Sequence, residues 1–170
     1  MIVLGLDPGT RHFGWGLVER RGTRLVHHAH GVVHTDEREP IAKRLVTIER
    51  ALVEVLGAHA PGVASVEALF FAKDAQAAAK LGHARGVALL VCARAGLEVF
   101  EYPPARVKRT IAGSGRAEKS QVAQMIRVLL GLAVAPVADA ADALALAVTH
   151  LQHAQHLAAL AAGMKGVSRG

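Results

Sequence analysis

The opening segment of the chain constrains its fold more than any other. Residues 2–6 form the continuous apolar run I-V-L-G-L, and the turn-forming sequence Asp7-Pro8-Gly9-Thr10 follows at once. An apolar run of this length that ends in a turn predicts a central β-strand buried on both faces. Such a strand needs neighbouring strands at both edges and helices above and below it. The rest of the chain must therefore supply a sheet built around its own N-terminus.

The later hydrophobic pattern alternates between strands and helices. Residues 13–19 and 24–33 predict two strands joined by a hairpin turn, which would extend the first strand into an antiparallel meander. In chain order, the later segments are a helix at 40–56, a strand at 63–66, a helix at 74–95, a strand at 97–102, a short helix from 103, a helix around 122–130 and a helix at 138–160. Strands joined by crossover helices lie parallel. The pattern predicts an α/β fold in which a mixed five-stranded sheet is flanked by helices on both faces.

The length of 170 residues suits one compact domain. Hydrophobic residues make up 52% of the chain, which is enough for a substantial core built mainly from Leu, Val, Ile and Ala. No long linker or internal repeat divides the chain. We therefore assign residues 1–160 to a single domain and residues 161–170 to a flexible C-terminal tail.

The charge balance favours a polyanionic partner. The chain has 20 Lys and Arg against 14 Asp and Glu, a formal charge of +6, although a basic domain without nucleic acid is an equal alternative from charge alone. The single cysteine, Cys92, excludes an intrachain disulfide and a thiolate metal site. No apolar stretch reaches the roughly 20 residues of a membrane span, and the N-terminus lacks the features of a signal peptide. We expect a cytoplasmic protein that does not enter a membrane.

Four acidic residues stand at positions where a ligand site would form. Asp7 ends the first predicted strand and Glu67 ends the fourth, while Asp139 and Asp142 share one face at the start of the last helix. In open sheets with parallel strands, ligands collect at the carboxyl ends of the strands. Four carboxylates there could hold two Mg²⁺ ions roughly 4 Å apart, an arrangement suited to hydrolysis of a phosphodiester. Taken singly, each acid is equally well explained as a turn or cap residue.

A basic segment at 104–127 predicts contacts with nucleic acid. Its basic residues are Arg106, Lys108, Arg109, Arg116, Lys119 and Arg127. The sequence Gly113-Ser114-Gly115 in their midst leads into a helix, and free N–H groups at a helix start bind phosphate. Lys108 and Lys119 are the strongest candidates for contacting phosphate near the scissile bond. A solvated basic face is the alternative interpretation.

Two further features allow more than one interpretation. Phe70 follows Glu67 closely, and its ring could wedge against an unstacked base; packing in the core is the alternative. The histidines of the third strand are His27, His28, His30 and His34. Alternation would place His28, His30 and His34 on one face and His27 on the other, and we interpret them as solvated side chains rather than as a metal site. His150 of the last helix could approach the acidic cluster, and we interpret it as a residue that either supports the metal ligands or packs the helix.

Taken together, these motifs resemble the RuvC family of bacterial Holliday-junction resolvases from residue 2 to about residue 153. The matching stretches are G-L-D-P-G-T at 5–10, V-E at 66–67 with Phe70 and Lys73, L-G-H-A-R-G-V at 81–87, V-K-R-T at 107–110, G-S-G-R-A-E-K at 113–119 and D-A-A-D-A-L-A at 139–145. The resemblance implies a ribonuclease-H-like fold and a catalytic, metal-binding tetrad of Asp7, Glu67, Asp139 and Asp142. It also implies two Mg²⁺ ions in each subunit, with Mn²⁺ able to substitute. Ala68 and Asp74 depart from the residues common in the family, which affects loop geometry and base preference.

The resemblance further implies how the protein works. A homodimer would make two symmetric nicks in a four-way DNA junction, beside the RuvA–RuvB branch-migration complex, during homologous recombination and DNA repair. Phe70, Lys108 and Lys119 correspond to its DNA-contact residues, with Arg109 and Arg116 nearby. The Ala- and Gly-rich helix at 74–95, which includes Ala78 and Gly82, is the candidate dimer interface.

Three alternatives remain open from the sequence. The first strand and its turn also resemble the phosphate-binding start of actin- and sugar-kinase-like ATPases, although those need a second domain. A DNA-binding module without catalysis would show the same basic segment. A resolvase of the same fold could also act on another branched substrate.

Overall fold

Within residues 1–68 and 75–167, which the computed structural model describes, five strands form one mixed sheet and five helices flank it. The strands are β1 (Ile2–Asp7), β2 (His12–Arg21), β3 (Arg24–His34), β4 (Val63–Glu67) and β5 (Val99–Tyr102). The helices are α1 (Ile41–His59), α2 (Ala75–Arg94), α3 (Pro104–Ala112), α4 (Lys119–Leu130) and α5 (Ala138–Val167). The predicted fold class is confirmed.

The sheet is built around β1, as its apolar sequence predicts. The strand order is β3-β2-β1-β4-β5. β1 pairs antiparallel with β2 and parallel with β4, and β2 pairs antiparallel with β3. β4 and β5 are parallel because α2 crosses over between them. The predicted antiparallel meander is confirmed, and the first and fourth strands are neighbours.

Side chains of β1 alternate between two hydrophobic clusters, one on each face of the sheet. Val3 packs with α3, α4 and α5, whereas Leu4 and Leu6 pack with α1 and α2. This period of two directs Asp7 to the same face as Val3. The end of β1 therefore presents its carboxylate toward α5.

The last helix is longer than its sequence pattern predicts. We expected it to end at residue 160, with a tail at 161–170, but α5 continues to Val167. The extension follows from the sequence L-A-A-L-A-A-G at 157–163, in which Ala and Leu are strong helix formers. Among the helices of the described ranges, none is both long enough and apolar enough to cross a bilayer.

Two glycines let α5 approach the sheet closely. A Cβ added to Gly5 in β1 would overlap the backbone carbonyl of Ala143, and one added to Gly14 in β2 would overlap that of Asp139. The N-terminal turns of α5 therefore lie directly on β1 and β2, with backbone against backbone. This contact sets how far the acidic residues of α5 lie from the end of β1.

A stability comparison tests the importance of this contact. Gly5→Ala should destabilise the protein by about 1–3 kcal/mol, because overpacking forces backbone shifts. Gly57→Ala, at an exposed helical position where an added Cβ meets nothing within 4 Å, should instead stabilise by about 0.5–1 kcal/mol. Urea unfolding followed by circular dichroism measures both changes. Equal unfolding midpoints for the two variants would show that α5 adjusts without cost.

Candidate active site

The two strand-end acids lie side by side. β1 and β4 are parallel, with Leu6 in register with Val66, so the next residues along each strand are Asp7 and Glu67. Both continue the same alternation and project toward α5. Acids 60 positions apart in the chain are thus brought to one edge of the sheet.

The start of α5 brings in the second pair of acids. Asp7 is in register with Gly14 of β2, and Gly14 contacts the backbone of Asp139. Asp142 lies one turn further along the helix, on the same face. The residues between and after them are buried alanines, namely Ala140, Ala141 and Ala143. Small side chains at these positions let the helix seat its first two turns against the sheet.

A cavity of about 260 Å³ opens above the strand ends. Its polar lining consists of Asp7, Glu67, Asp142, Lys108 and Lys119. Apolar side chains of α3, α4 and α5 complete the wall: Pro104, Val107, Val122 and Leu146. The structure therefore brings three of the four predicted acids to the cavity itself, and Asp139 lies outside its lining but close enough to act electrostatically on Asp7.

The acids interact electrostatically. The pKa of Asp7 is raised from 3.8 to about 7. Burial is the largest cause, the negative charges of Asp142, Glu67 and Asp139 contribute in that order, and Lys119 opposes them. Burial also raises the pKa of Glu67, with Asp142 adding to the increase and Lys119, Lys108 and Arg85 opposing it. Clustered carboxylates in a partly buried site are costly unless positive charge compensates them. The site therefore favours a bound cation.

Lys119 supplies part of that positive charge from the protein itself. Its Nζ donates to Asp142 Oδ2 at 3.0 Å, and this hydrogen bond raises the pKa of Lys119. Lys119 is the first residue of α4, and a capping box between Glu118 and Gln121 fixes the start of that helix. The ammonium group is thus held at the mouth of the acidic cluster.

The donor set suits a hard divalent cation. Carboxylate oxygens are the ligands that Mg²⁺ takes together with waters and phosphate oxygens. Across the part of the chain that the structure describes, no three acidic or imidazole groups already converge as a closed metal cage. Mg²⁺ usually keeps several waters when it binds to a protein, so it does not require a closed cage of protein ligands.

The other predicted DNA-contact residues have different placements. Lys108 is half-buried in the cavity wall. Arg109 and Arg116 are exposed and lie outside the cavity lining, Arg109 at the end of α3 and Arg116 before α4. Phe70, with Lys73 and Asp74, lies outside the described residues. The basic residues therefore extend from the cavity onto the adjacent surface.

The histidines of β3 follow a different face pattern from the predicted one. A register shift between the Leu17 and Val18 pairs leaves His28 as an extra residue, because Leu17 pairs with Ala29 and Val18 with His27. His27 and His30 consequently share a face, and their rings are hydrogen-bonded at 2.7 Å. The prediction that His27 lies opposite His30 is wrong, since a bulge cannot be read from simple alternation.

Sequence reasoning missed two buried arginines close to the site. Arg44 of α1 donates to the Thr10 carbonyl at 2.6 Å, and Arg85 of α2 donates to the Glu67 carbonyl. Nothing in their sequence context distinguishes them from exposed helical arginines, apart from flanking apolar residues. The close approach of α5 to the sheet has a clearer signal in the sequence. Gly14 and Gly16 alternate within a strand, where glycine is otherwise unfavourable, and glycine there often marks a close backbone contact.

His150 is a helix-packing residue, which is one of the two roles that the sequence indicated for it. It is buried on α5, and its Nδ1 is hydrogen-bonded to the Tyr102 hydroxyl at 2.9 Å. Phe100 lies against its ring with centroids 4.5 Å apart. His150 thus joins α5 to β5 below the cavity.

The comparison with known proteins decides the family. The family model for the crossover junction endodeoxyribonuclease RuvC matches residues 3–150. The chain belongs to the RuvC family. RuvC of Sorangium cellulosum is 62% identical over 133 residues, which are 78% of this chain and 74% of that relative.

Solved structures agree with this assignment. T. thermophilus RuvC, in complex with a Holliday junction substrate, is 39% identical and superposes with a TM-score of 0.86 over 92% of this chain and 96% of that one. The yeast mitochondrial Holliday junction resolvase Ydc2, at 13% identity and a TM-score of 0.60, covers 86% of this chain and 77% of its own, and supports the ribonuclease-H-like fold alone. This RuvC-family chain is a metal-dependent endodeoxyribonuclease. The ATPase and non-catalytic alternatives are thereby set aside.

Proposed function

We propose that this RuvC-family chain resolves four-way DNA junctions by hydrolysing one phosphodiester in each of two symmetric strands. The observation that carries the proposal is the convergence of Asp7, Glu67 and Asp142 on one cavity whose remaining polar lining is Lys108 and Lys119. Such a cavity combines an acidic floor for cations with a basic rim for phosphate. It therefore suits a reaction in which a metal and a phosphodiester meet.

The four acids Asp7, Glu67, Asp139 and Asp142 would hold Mg²⁺, with two ions in each subunit and with Mn²⁺ able to replace them. When bound, the ions supply an activated water and stabilise the leaving oxygen of an in-line displacement. Burial and the neighbouring negative charges raise the pKa of Asp7, so a bound cation would favour the charged form of this carboxylate. Apolar walls from Val107, Val122 and Leu146 would limit access of bulk water to the site.

The basic residues would guide the DNA. Lys108 and Lys119 are close enough to the acids to contact the phosphates that flank the scissile bond, while the exposed Arg109 and Arg116 would contact the backbone further away. Phe70 would stack on a base that is unpaired at the junction. When a cation binds the Asp142 carboxylate, the Lys119 ammonium group would leave Asp142 and bind a phosphate oxygen instead.

A homodimer would match the two-fold symmetry of a four-way junction. On α2, the exposed residues Ala78, Gly82, Gly86 and Leu90 follow one another at intervals of four. Small side chains spaced by one turn allow two helices to approach closely, and Leu90 would add apolar area. In sedimentation, Gly82→Trp should shift the protein toward the monomer, whereas Val128→Trp on α4 should not.

The same proposal sets the cellular context. The T. thermophilus relative has been solved with a Holliday junction substrate, and we infer the same substrate for this chain. We further infer cooperation with the RuvA–RuvB branch-migration complex in the cytoplasm, where recombination and repair of bacterial DNA occur.

Incubation with synthetic DNA tests the proposal. The purified protein should nick a labelled four-way junction at symmetric positions in two opposite strands when Mg²⁺ is present, and should not do so in EDTA. A linear duplex with the sequence of one arm is the matched control and should stay intact. Cutting of the duplex at a comparable rate, or cutting without metal, would contradict the proposal.

A further inference from the structure

Arg85 is a buried cation on the face of the sheet opposite to the cavity. Arg85 is 5% exposed. Its neighbours Ala84 and Ala88 on α2 belong to the hydrophobic cluster that α1 and α2 form with the sheet. Removing a guanidinium group from water costs free energy unless its donors find acceptors in the protein. The acceptors that Arg85 binds therefore indicate its role in the protein.

The two partners of Arg85 lie on β4, the strand that carries Glu67, and on its neighbour β5. Its Nη1 donates to the backbone carbonyl of Glu67 at 2.5 Å, and its Nη2 lies 2.6 Å from Glu101 Oε1. Glu101 precedes Tyr102, the residue of β5 that is in register with Glu67. One guanidinium group thus joins α2 to the last residue of β4 and to the neighbouring strand.

The end of β4 has few other supports. The last pair between β1 and β4 joins Leu6 to Val66, so the β1 ladder ends one residue before Glu67. On the β5 side, the N–H of Ala68 donates to the Tyr102 carbonyl at 2.9 Å. The carbonyl of Glu67 is held by Arg85, and the peptide group that follows Glu67 is therefore fixed from both ends.

We propose that Arg85 is a positioning residue for Glu67. By holding the carbonyl of Glu67 from the far face of the sheet, the guanidinium group fixes the backbone at that residue and hence the direction in which its carboxylate enters the cavity. A planar guanidinium presents several donors in a rigid fork and binds two acceptors at once, which a lysine ammonium does less well. Arg85 lies behind the sheet and acts through Glu67.

The inference rests on the proposed function, in which Glu67 is a metal ligand. Groups that orient a metal ligand without touching the metal typically contribute 10–100-fold to metal affinity or activity. The same range is expected here. A merely structural role would instead lower stability and leave the folded protein fully active.

Arg85→Met is the principal variant, because methionine retains part of the apolar stem and removes both hydrogen bonds. At a temperature well below unfolding, cleavage at saturating junction should fall about 10–100-fold. More Mg²⁺ should be needed for the half-maximal rate, while junction binding in EDTA stays unchanged. Arg85→Lys should recover part of the rate, and this variant keeps the test valid if Arg85→Met does not fold.

Val91→Ala is the matched control. Val91 lies on the same helix and is 3% exposed, so its truncation destabilises the protein without touching Glu67. Its cleavage rate below the unfolding midpoint should equal that of the wild type. Without DNA, Mg²⁺ should raise the unfolding temperature of Val91→Ala as much as that of the wild type, and that of Arg85→Met clearly less.

Glu101→Gln separates the two contacts of Arg85. The variant keeps an acceptor at this position, so a rate within about 3-fold of the wild type would agree with a role exerted through the Glu67 carbonyl. Wild-type cleavage and Mg²⁺ stabilisation in Arg85→Met, or equal losses in Val91→Ala, would overturn the inference. If the wild type does not cut junctions, the proposed function fails, whereas the Mg²⁺-dependent unfolding shift still tests the positioning of Glu67.

Discussion

Replacing Asp7 with Asn should reduce junction cleavage by about 10³-fold and leave junction binding nearly unchanged. Asp7 is the acid that interacts with all three others, and burial together with their negative charges raises its pKa to about 7. An amide has the same shape as the carboxylate but cannot neutralise a cation. The loss should therefore fall on the rate of hydrolysis, since the basic residues that contact phosphate are untouched.

Asp36→Asn is the matched control for this substitution. Asp36 is an aspartate on the surface, where its carboxylate binds the Arg38 side chain at 2.6 Å, and that hydrogen bond lowers its pKa. The cleavage rate of Asp36→Asn should equal that of the wild type. Single-turnover cleavage and gel-shift binding, measured with the same labelled junction, give the two quantities separately. Cleavage by Asp7→Asn within 10-fold of the wild type would exclude Asp7 from the catalytic set.

The geometry of the site follows from features that a sequence displays directly. An apolar run ending in Asp7 predicts a buried strand, and the parallel strand ending in Glu67 must end at the same edge because a helix crosses over between them. Side-chain alternation then directs both acids to one face. Asp139 and Asp142 share a helix face by their spacing alone. These rules are applied to the local sequence, and they hold for these four acids.

The features that the sequence does not display depend on contacts between distant segments. Arg85 has the local context of any helical arginine, and only the packed α2 reveals that it holds the carbonyl of Glu67. The shared face of His27 and His30 results from one unpaired residue in β3, which alternation cannot anticipate. The hydrogen bond from Lys119 to Asp142 requires α4 to dock beside α5.

The acidic cluster also implies a conflict between stability and activity. Four carboxylates suited to bind cations repel one another when no cation is present. Catalytic sites commonly retain such unfavourable charges because function requires them. The raised pKa of Asp7 reflects this cost. The pKa is about 7 in the folded chain and 3.8 without its surroundings, so the anionic form of Asp7 is less stable in the folded protein than in water.

The second large effect concerns the metal-free protein and pH. The folded pKa of Asp7 lies above its unfolded value, so the folded state binds more protons between pH 4 and pH 7, and Asp7 makes folding less favourable as pH rises through that window. At pH 8, Asp7→Asn should be more stable than the wild type by at most about 4 kcal/mol, and the difference should vanish near pH 4. Urea unfolding in EDTA at several pH values measures it.

Magnesium should reverse the order of stability, so that the wild type becomes more stable than Asp7→Asn. Cations bind the charged form of Asp7 and stabilise the folded state by mass action, by about 2.7 kcal/mol at a concentration 100 times the dissociation constant. Because Asp7 must lose its proton to bind, that stabilisation should increase from pH 6 to pH 8 in the wild type and be much smaller in Asp7→Asn. The exposed Asp36→Asn should follow the wild type in both series. A stability difference between Asp7→Asn and the wild type that does not change with pH, or that grows on acidification, would show that Asp7 is not held as a destabilised anion.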